Sequence, residues 1–208
     1  MQTHQSPSEP LQLHQITKQL FDEEWLSRED ADTLIQSPKG SAQSKLHPLE
    51  VIANAQLKTP AGETITLDAL MHWLAKMSRQ AFFQIDPLKI DSQKIAGVMS
   101  FAFAKRHAIL AVEIHTDEVV IASTQPFVSN WESDLKHTLK KDIRRVLVNP
   151  EELRKYTIEF YELANSVNKA GAQTASQGYT QNFEQMLELG SQSNPDANDQ
   201  HIVNIVDW

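Results

Sequence analysis

The sequence predicts an α/β fold of the α+β kind, with a small amino-terminal helical subdomain followed by a mixed-sheet domain covered by helices. Three observations predict it. Within residues 11–60 the apolar side chains recur at three- and four-residue spacing, with no alternating run. Two runs rich in β-branched residues, 109–115 and 118–123, are separated only by Thr116-Asp117, which reads as a tight hairpin. A strand, helix, strand unit over residues 119–148 favours a parallel pair joined by a right-handed crossover, so a sheet holding both pairs must be mixed.

Residues 1–10, with Pro7 and Pro10 among polar neighbours, read as a disordered tail, and structure is expected from Leu11. Leu13, Ile16, Leu20 and Phe21 mark a first helix. Ser27, followed by Arg28-Glu29-Asp30, is an N-cap for a second helix carrying Ala31, Leu34 and Ile35, which gives a helical hairpin. Ser37-Pro38-Lys39-Gly40-Ser41 breaks the pattern, and His47-Pro48-Leu49-Glu50 opens a third helix through Val51, Ile52 and Leu57. The helical subdomain is assigned to residues 11–60, ending near Thr59-Pro60-Ala61-Gly62.

The mixed α/β domain is assigned to residues 61–169. Thr66 caps a helix with Leu67, Leu70, Met71, Leu74 and Met77 on one face, and residues 82–85 read as a strand before Pro87. Asp91 caps one largely buried helix containing Ile95, Val98, Met99, Ala102 and Phe103, with Phe101 on another side. After the hairpin, Trp131, Leu135 and Leu139 make an amphipathic helix and residues 143–148 a strand. Asn149 as N-cap, Pro150 at the first helical position, and Glu151 and Glu152 near the positive end of the dipole form the strongest helix start in the chain. That helix is expected to bury Leu153, Tyr156, Phe160, Leu163 and Val167. No Lys or Arg follows Lys169, and residues 170–200 have the composition of a flexible linker. Residues 201–208 read as an amphipathic helix interrupted mid-pattern, the start of a further domain, so the chain is expected to be a truncated piece of a longer protein.

Composition narrows the functional classes. At 208 residues with 40% hydrophobic content, the chain can hold one large or two small folded domains. Its apolar stretches are far too short to span a bilayer, and its polar start lacks the basic and apolar regions of an export signal. The absence of cysteine excludes disulfides, thiol catalysis and thiolate metal sites, and fits a cytoplasmic location. A net charge of −8 argues against nucleic-acid binding, which draws its affinity from Lys and Arg on phosphates.

The stretch Ile85-Asp86-Pro87-Leu88-Lys89-Ile90-Asp91 is followed by helical sequence ending in Arg106-His107-Ala108-Ile109-Leu110. Val119-Val120-Ile121-Ala122 then runs into Gln125-Pro126-Phe127, and a last strand ends at Asn149-Pro150-Glu151-Glu152. Over roughly residues 12–168 this order resembles the amino-terminal region of type II secretion and type IV pilus assembly ATPases. The resemblance implies a hexameric full-length motor that uses ATP and Mg²⁺. It further implies docking to the cytoplasmic domain of an L-type inner-membrane protein, or its pilus equivalent, and a position peripheral to the inner membrane through that partner. The motor chemistry needs a loop of the form G-x-x-x-x-G-K-[ST]. None of the six glycines here is followed by Lys, so the phosphate-binding loop is missing and no cofactor is expected in this chain.

Candidate sites follow. Asp22-Glu23-Glu24 and Glu151-Glu152 are read as solvated or capping acids rather than an acid/base pair, since adjacent carboxylates on a helix rarely have split environments. The eight histidines include no i, i+4 pair of the zinc type, and Ser100 and Ser123 lack any cue to an activated nucleophile, so no catalytic or metal residue is assigned. Phe21, Trp25, Leu26, Leu34 and Ile35 carry more apolar surface than a two-helix hairpin can bury internally, and either the second domain or a partner must cover them. Lys136, His137, Lys140, Lys141, Arg144 and Arg145 form a basic corner in an acidic chain. It reads either as solvated or as a contact with an acidic partner, the protein's own ATPase domain or anionic lipid. The partner-binding candidates are therefore Phe21, Trp25, Leu26, Leu34, Ile35, Lys140, Lys141, Arg144 and Arg145. The alternative is a sensing module for a small molecule such as cyclic di-GMP. Members of the resembled family that bind it carry R-L-G-x-x-L-x-x-x-G-x-[LI] in the first hairpin, and here Gln15-Ile16-Thr17 and Glu24 stand at the R-L-G and later glycine positions. Loss of the guanidinium and addition of a carboxylate weaken that alternative.

Overall fold

The structure, a computed structural model, describes residues 9–36 and 46–173, with side chains as far as 169. Met1–Ser166 forms one compact unit and Val167–Trp208 another, of which only residues 167–173 are described. The expectations for residues 1–8, for the break at 37–41, for most of the linker and for 201–208 lie outside the described residues.

The first unit begins with four helices whose ends are set by local chemistry. Helix α1 (Leu13–Asp22) and helix α2 (Arg28–Gln36) form the expected hairpin, with Ser27 Oγ accepting from the Asp30 amide at 3.1 Å. Helix α3 (Pro48–Asn54) opens with a reciprocal cap: His47 Nδ1 accepts from the Leu49 amide at 3.3 Å, and Glu50 Oε2 accepts from the His47 amide at 2.9 Å. It stops before Leu57. The chain instead turns through a short antiparallel bridge, Lys58 to Thr64, around Gly62 at φ +86°, a left-handed conformation that glycine tolerates best. Helix α4 (Leu67–Ser78) then starts from Thr66, whose hydroxyl accepts from Ala69 N at 3.2 Å. Ile16, Leu20, Leu26, Leu34, Leu49, Ile52, Ile65, Leu70, Met71 and Leu74 make one buried helical core, so α4 packs with the three helices before it. Each fully buried Leu or Ile contributes roughly 1.5–3 kcal/mol.

The sheet is mixed, in the order β1-β4-β3-β2. Strand β2 (Ile109–Ile114) pairs antiparallel with β3 (Glu118–Ser123), with a bulge between Ala111 and Glu113. Strand β4 (Asp142–Leu147) lies parallel to β3, as the crossover through helix α7 (Glu132–Leu139) requires. Strand β1 (Ala81–Phe82) adds only two residues parallel to β4, extended by Phe83 N donating to Leu147 O at 2.7 Å. The longer strand expected over 82–85 is cut short because the chain leaves the sheet before Pro87, turning Ile85 into the core.

A correction concerns the single helix expected after Asp91. It is two helices, α5 (Ser92–Val98) and α6 (Phe101–His107), because Met99 is extended (φ −151°) and Ser100 caps a fresh start, its hydroxyl accepting from Phe103 N at 3.2 Å. The Met99 carbonyl accepts from the Tyr161 hydroxyl at 2.7 Å. The restart rotates the face, so Ala104 is buried and Ala102 is exposed. Helix α8 (Pro150–Gln173) starts from Asn149 as expected, its Oδ1 accepting from Glu151 N at 2.8 Å. Its buried stripe, however, is Leu153, Thr157, Phe160, Tyr161 and Ala164, while Leu163 and Val167 are exposed. The sheet core gathers Ile95, Ile109, Leu110, Val120, Ile121, Trp131, Val146 and Phe160.

Candidate functional site

The apolar residues singled out in the first hairpin divide by exposure. Leu26 and Leu34 are core residues, at 2% and 7% exposure, covered by the other helices of the first layer. Trp25 is half-buried against the same core, whereas Phe21 and Ile35 remain exposed at 41% and 50%. Phe21 sits beside the turn of the hairpin and Ile35 at its open end. Seven or so residues of helix, roughly 10 Å, separate those two ends. The uncovered apolar surface is thus two spots flanking the hairpin rather than one continuous face.

The basic corner is largely paired within the chain. Arg144 reaches Glu118 Oε1 through Nε at 2.9 Å and Glu113 Oε2 through Nη2 at 3.0 Å, a cross-strand network over β4, β3 and β2. Lys136 pairs with Asp142 at 2.6 Å, and Lys141 Nζ donates to the His115 carbonyl at 2.7 Å. Arg145 turns inward. Its Nη2 donates to the carbonyls of Gln125, Pro126 and Val128 at 3.2, 2.7 and 3.0 Å, and its guanidinium lies 5.6 Å from the Trp131 ring centroid. Burial lowers its pKa below the usual arginine value. Lys140, at φ +52° as the C-cap of α7, is the exposed lysine of the four candidate cations.

A polar cluster that sequence reasoning missed joins α3 to the sheet layer. Because His47 Nδ1 accepts from Leu49 N, the ring proton sits on Nε2, which donates to the Thr124 carbonyl at 3.0 Å. Burial holds the pKa of His47 down at about 4, against the opposing pull of that carbonyl and of Glu50. Glu50 is gripped through both carboxylate oxygens by Arg154 of α8. Burial, the largest influence on Glu50, pushes its pKa up, but the Arg154 hydrogen bonds and the His47 amide outweigh it and hold the carboxyl below its ordinary range. Beside this cluster lies a half-open cleft of about 610 Å³, its walls including Leu11, Leu13, Leu34, Val51 and Leu153, with Arg154 at its polar side. The sequence signal was Ser/Thr-free but present: His47 and Glu50 stand at the two positions of a capping box, with Pro48 between them.

Among the described residues no three His, Asp or Glu side chains gather in a metal-holding group, and no helix is long and apolar enough to cross a membrane. Thr17, at the position of the motif's first glycine, is fully buried, and Glu24, at the later glycine, holds φ +62°.

The sheet layer falls into a known class: residues 78–167 match the family described as the MshEN domain. Over 194 residues the chain is 38% identical to the type IV pilus assembly ATPase TfpB of Acinetobacter baylyi (strain ATCC 33305 / BD413 / ADP1), covering 92% of this chain and 33% of that protein. The chain thus spans about a third of the length of the curated relative it matches. Among solved structures, that of MshE with cdg overlays at a TM-score of 0.46 with 12% identity, covering 73% of this chain and 99% of that one. The N-terminal domain of XpsE overlays at 0.45 with 12% identity, covering 72% and 96%. Residues 78–167 are thus similar to MshEN domains, and the wider chain is similar to a portion of a type IV pilus assembly ATPase.

Proposed function

We infer that this chain is a non-catalytic docking and regulatory region that tethers a secretion or pilus-assembly motor to a platform protein of the inner membrane. One observation carries the reading. Kinship with a pilus-assembly ATPase runs through 92% of the chain, yet no glycine in the chain is followed by Lys, so the ATP and Mg²⁺ chemistry belongs to another part of the protein. Half-buried Trp25 and exposed Phe21 and Ile35 supply apolar anchors for a helical partner surface, with Lys140 as an exposed cation for electrostatic approach. The partner in this reading is the cytoplasmic domain of an L-type membrane protein or its pilus counterpart. A cytoplasmic position at the membrane face and a hexameric whole protein belong to the same reading.

The test is binding of the chain to that cytoplasmic domain. Trp25→Ala is expected to cost on the order of 2 kcal/mol, about a 30-fold loss of affinity, with the sheet layer still folded. Lys140→Glu and Arg144→Glu are each expected to slow association and flatten its salt dependence, Lys140→Glu without also breaking the ties to Glu113 and Glu118. Unchanged affinity of a folded Trp25→Ala variant would place the interface elsewhere.

A second reading, sensing of a small molecule such as cyclic di-GMP, draws on the cleft beside Arg154, whose volume of about 610 Å³ suits a drug-sized ligand. Calorimetric titration separates the two. Submicromolar binding of cyclic di-GMP that is lost in Arg154→Gln favours sensing, and no heat at millimolar ligand leaves docking.

A further inference from the structure

The segment between β3 and α7 is unusual for a connecting loop because much of it is buried: Thr124 is 5% exposed, Pro126 is buried and Gln125, Phe127 and Val128 are half-buried. Loops normally run over the surface, since buried main-chain carbonyls without partners are costly. Here the partners come from four separate places in the chain. The Leu11 amide, just before α1, donates to Gln125 Oε1 at 2.7 Å. His47, at the start of α3, donates to Thr124 O. Gln80, just after α4, donates through Nε2 to Pro126 O at 2.9 Å. From the sheet side, Arg145 of β4 holds the Gln125, Pro126 and Val128 carbonyls. The apolar side chains divide in the same way, with Phe127 packed on the helical core and Val128 on the sheet core.

We propose that residues 124–128 form a coupling joint, through which the helical layer and the sheet layer respond as one body and Arg145 passes a displacement of α1 or α3 on to β4. The joint acts whichever occupant the helical layer receives. Three attachments of the helical layer converge on residues 124–126, and one guanidinium holds the carbonyls of Gln125, Pro126 and Val128. A contiguous hydrogen-bonded network of this kind can carry coupling, and coupling is what must be measured. Glu50–Arg154 is a parallel tie that does not pass through the loop.

Hydrogen exchange on the whole chain tests it, comparing wild type with Arg145→Met, which keeps the aliphatic stem but removes the donors. The sites to follow are the amides of Leu11, Val51 and Gln80, with Phe160 of α8, buried in the sheet core, as the reference, since Ile121 pairs directly with Arg145. Exchange at all three is expected to accelerate at least tenfold more than at Phe160. Acceleration confined to residues 119–131 overturns the proposal, as does an equal acceleration at Phe160, which reports only lower global stability. If Arg145→Met does not fold, Gln125→Met decides. That change removes only the acceptor of the Leu11 amide, so faster exchange at Val51 and Gln80 supports the joint, and an effect limited to the start of α1 overturns it.

Discussion

Glu50 and Arg154, 104 positions apart in the chain, form a two-pronged ion pair whose carboxylate side chain is 2% exposed while the guanidinium side chain is 53% exposed. The asymmetry decides what each mutation does. Arg154→Ala strands a buried carboxylate and is expected to cost about 2 kcal/mol. That lies below the 3–5 kcal/mol typical of breaking a fully buried pair, because water already screens the arginine. Urea unfolding measures it. A loss under about 0.5 kcal/mol would mean that water takes over the arginine's role.

A pH dependence follows from His47. Its imidazole titrates near 6.5 when unfolded and about 4 when folded, so the unfolded chain binds the extra proton between those values. Stability is therefore full above about pH 6.5 and falls as pH drops toward 4, by about 3 kcal/mol in total. The Glu50 carboxyl, held below 4.5, loses its contribution only at lower pH, so the two windows are separable. Denaturation at pH 7, 6 and 5 should show the decline in wild type and a flatter profile in His47→Gln. Parallel profiles would refute the assignment.

Thr17 is fully buried, and among the described residues its hydroxyl has no hydrogen-bond partner. Thr17→Val keeps the shape and the β-branch, removes the orphaned group, and is expected to stabilise by about 1 kcal/mol. A higher midpoint with an unchanged m-value is the signature to look for. A lower midpoint would show that the hydroxyl finds a partner in solution.

Ala108 closes α6 in the left-handed region, at φ +49° and ψ +55°. Ala108→Gly relieves that conformation at the cost of a freer unfolded chain. The net expected gain is about 0.5 kcal/mol, the difference of two terms of order 1 kcal/mol. Thermal unfolding would register it as an upward shift, and a downward shift would mean that the methyl packs usefully on the cleft.

Much of the fold was legible because the signals are local. Ser27, Thr66, Asp91 and Asn149 cap the helices they were expected to cap, and Thr116-Asp117 makes the hairpin between β2 and β3. Ser100 was hidden because the apolar pattern runs on across it from Val98 to Phe103, so a restart looks like continuity. In α8 the buried stripe contains Thr157 and Ala164, which hydrophobicity ranks low, while exposed Leu163 and Val167 rank high. The role of Arg145 was missed for a different reason: residue type shows charge but not direction. Strand alternation held the clue, since Arg145 shares a face with Ile143 and Leu147, while Arg144 points the other way. The His47, Glu50 and Arg154 cluster needed the third dimension, as nothing local links residue 50 to residue 154.

The bulge in β2 limits how anything can attach to this domain. β2 is an outer strand, and an outer strand ordinarily invites a foreign segment to zip alongside it. Here residues 109–112 are almost without exposed surface, and beyond them the bulge throws the ladder out of step just before Glu113. The opposite margin, β1, is two residues long. Neither margin of the sheet gives a newcomer a strand's length of backbone to zip onto, so recruitment has to proceed through side chains presented by helices and turns. The same frustration of the margins works against two copies of the chain pairing strand to strand.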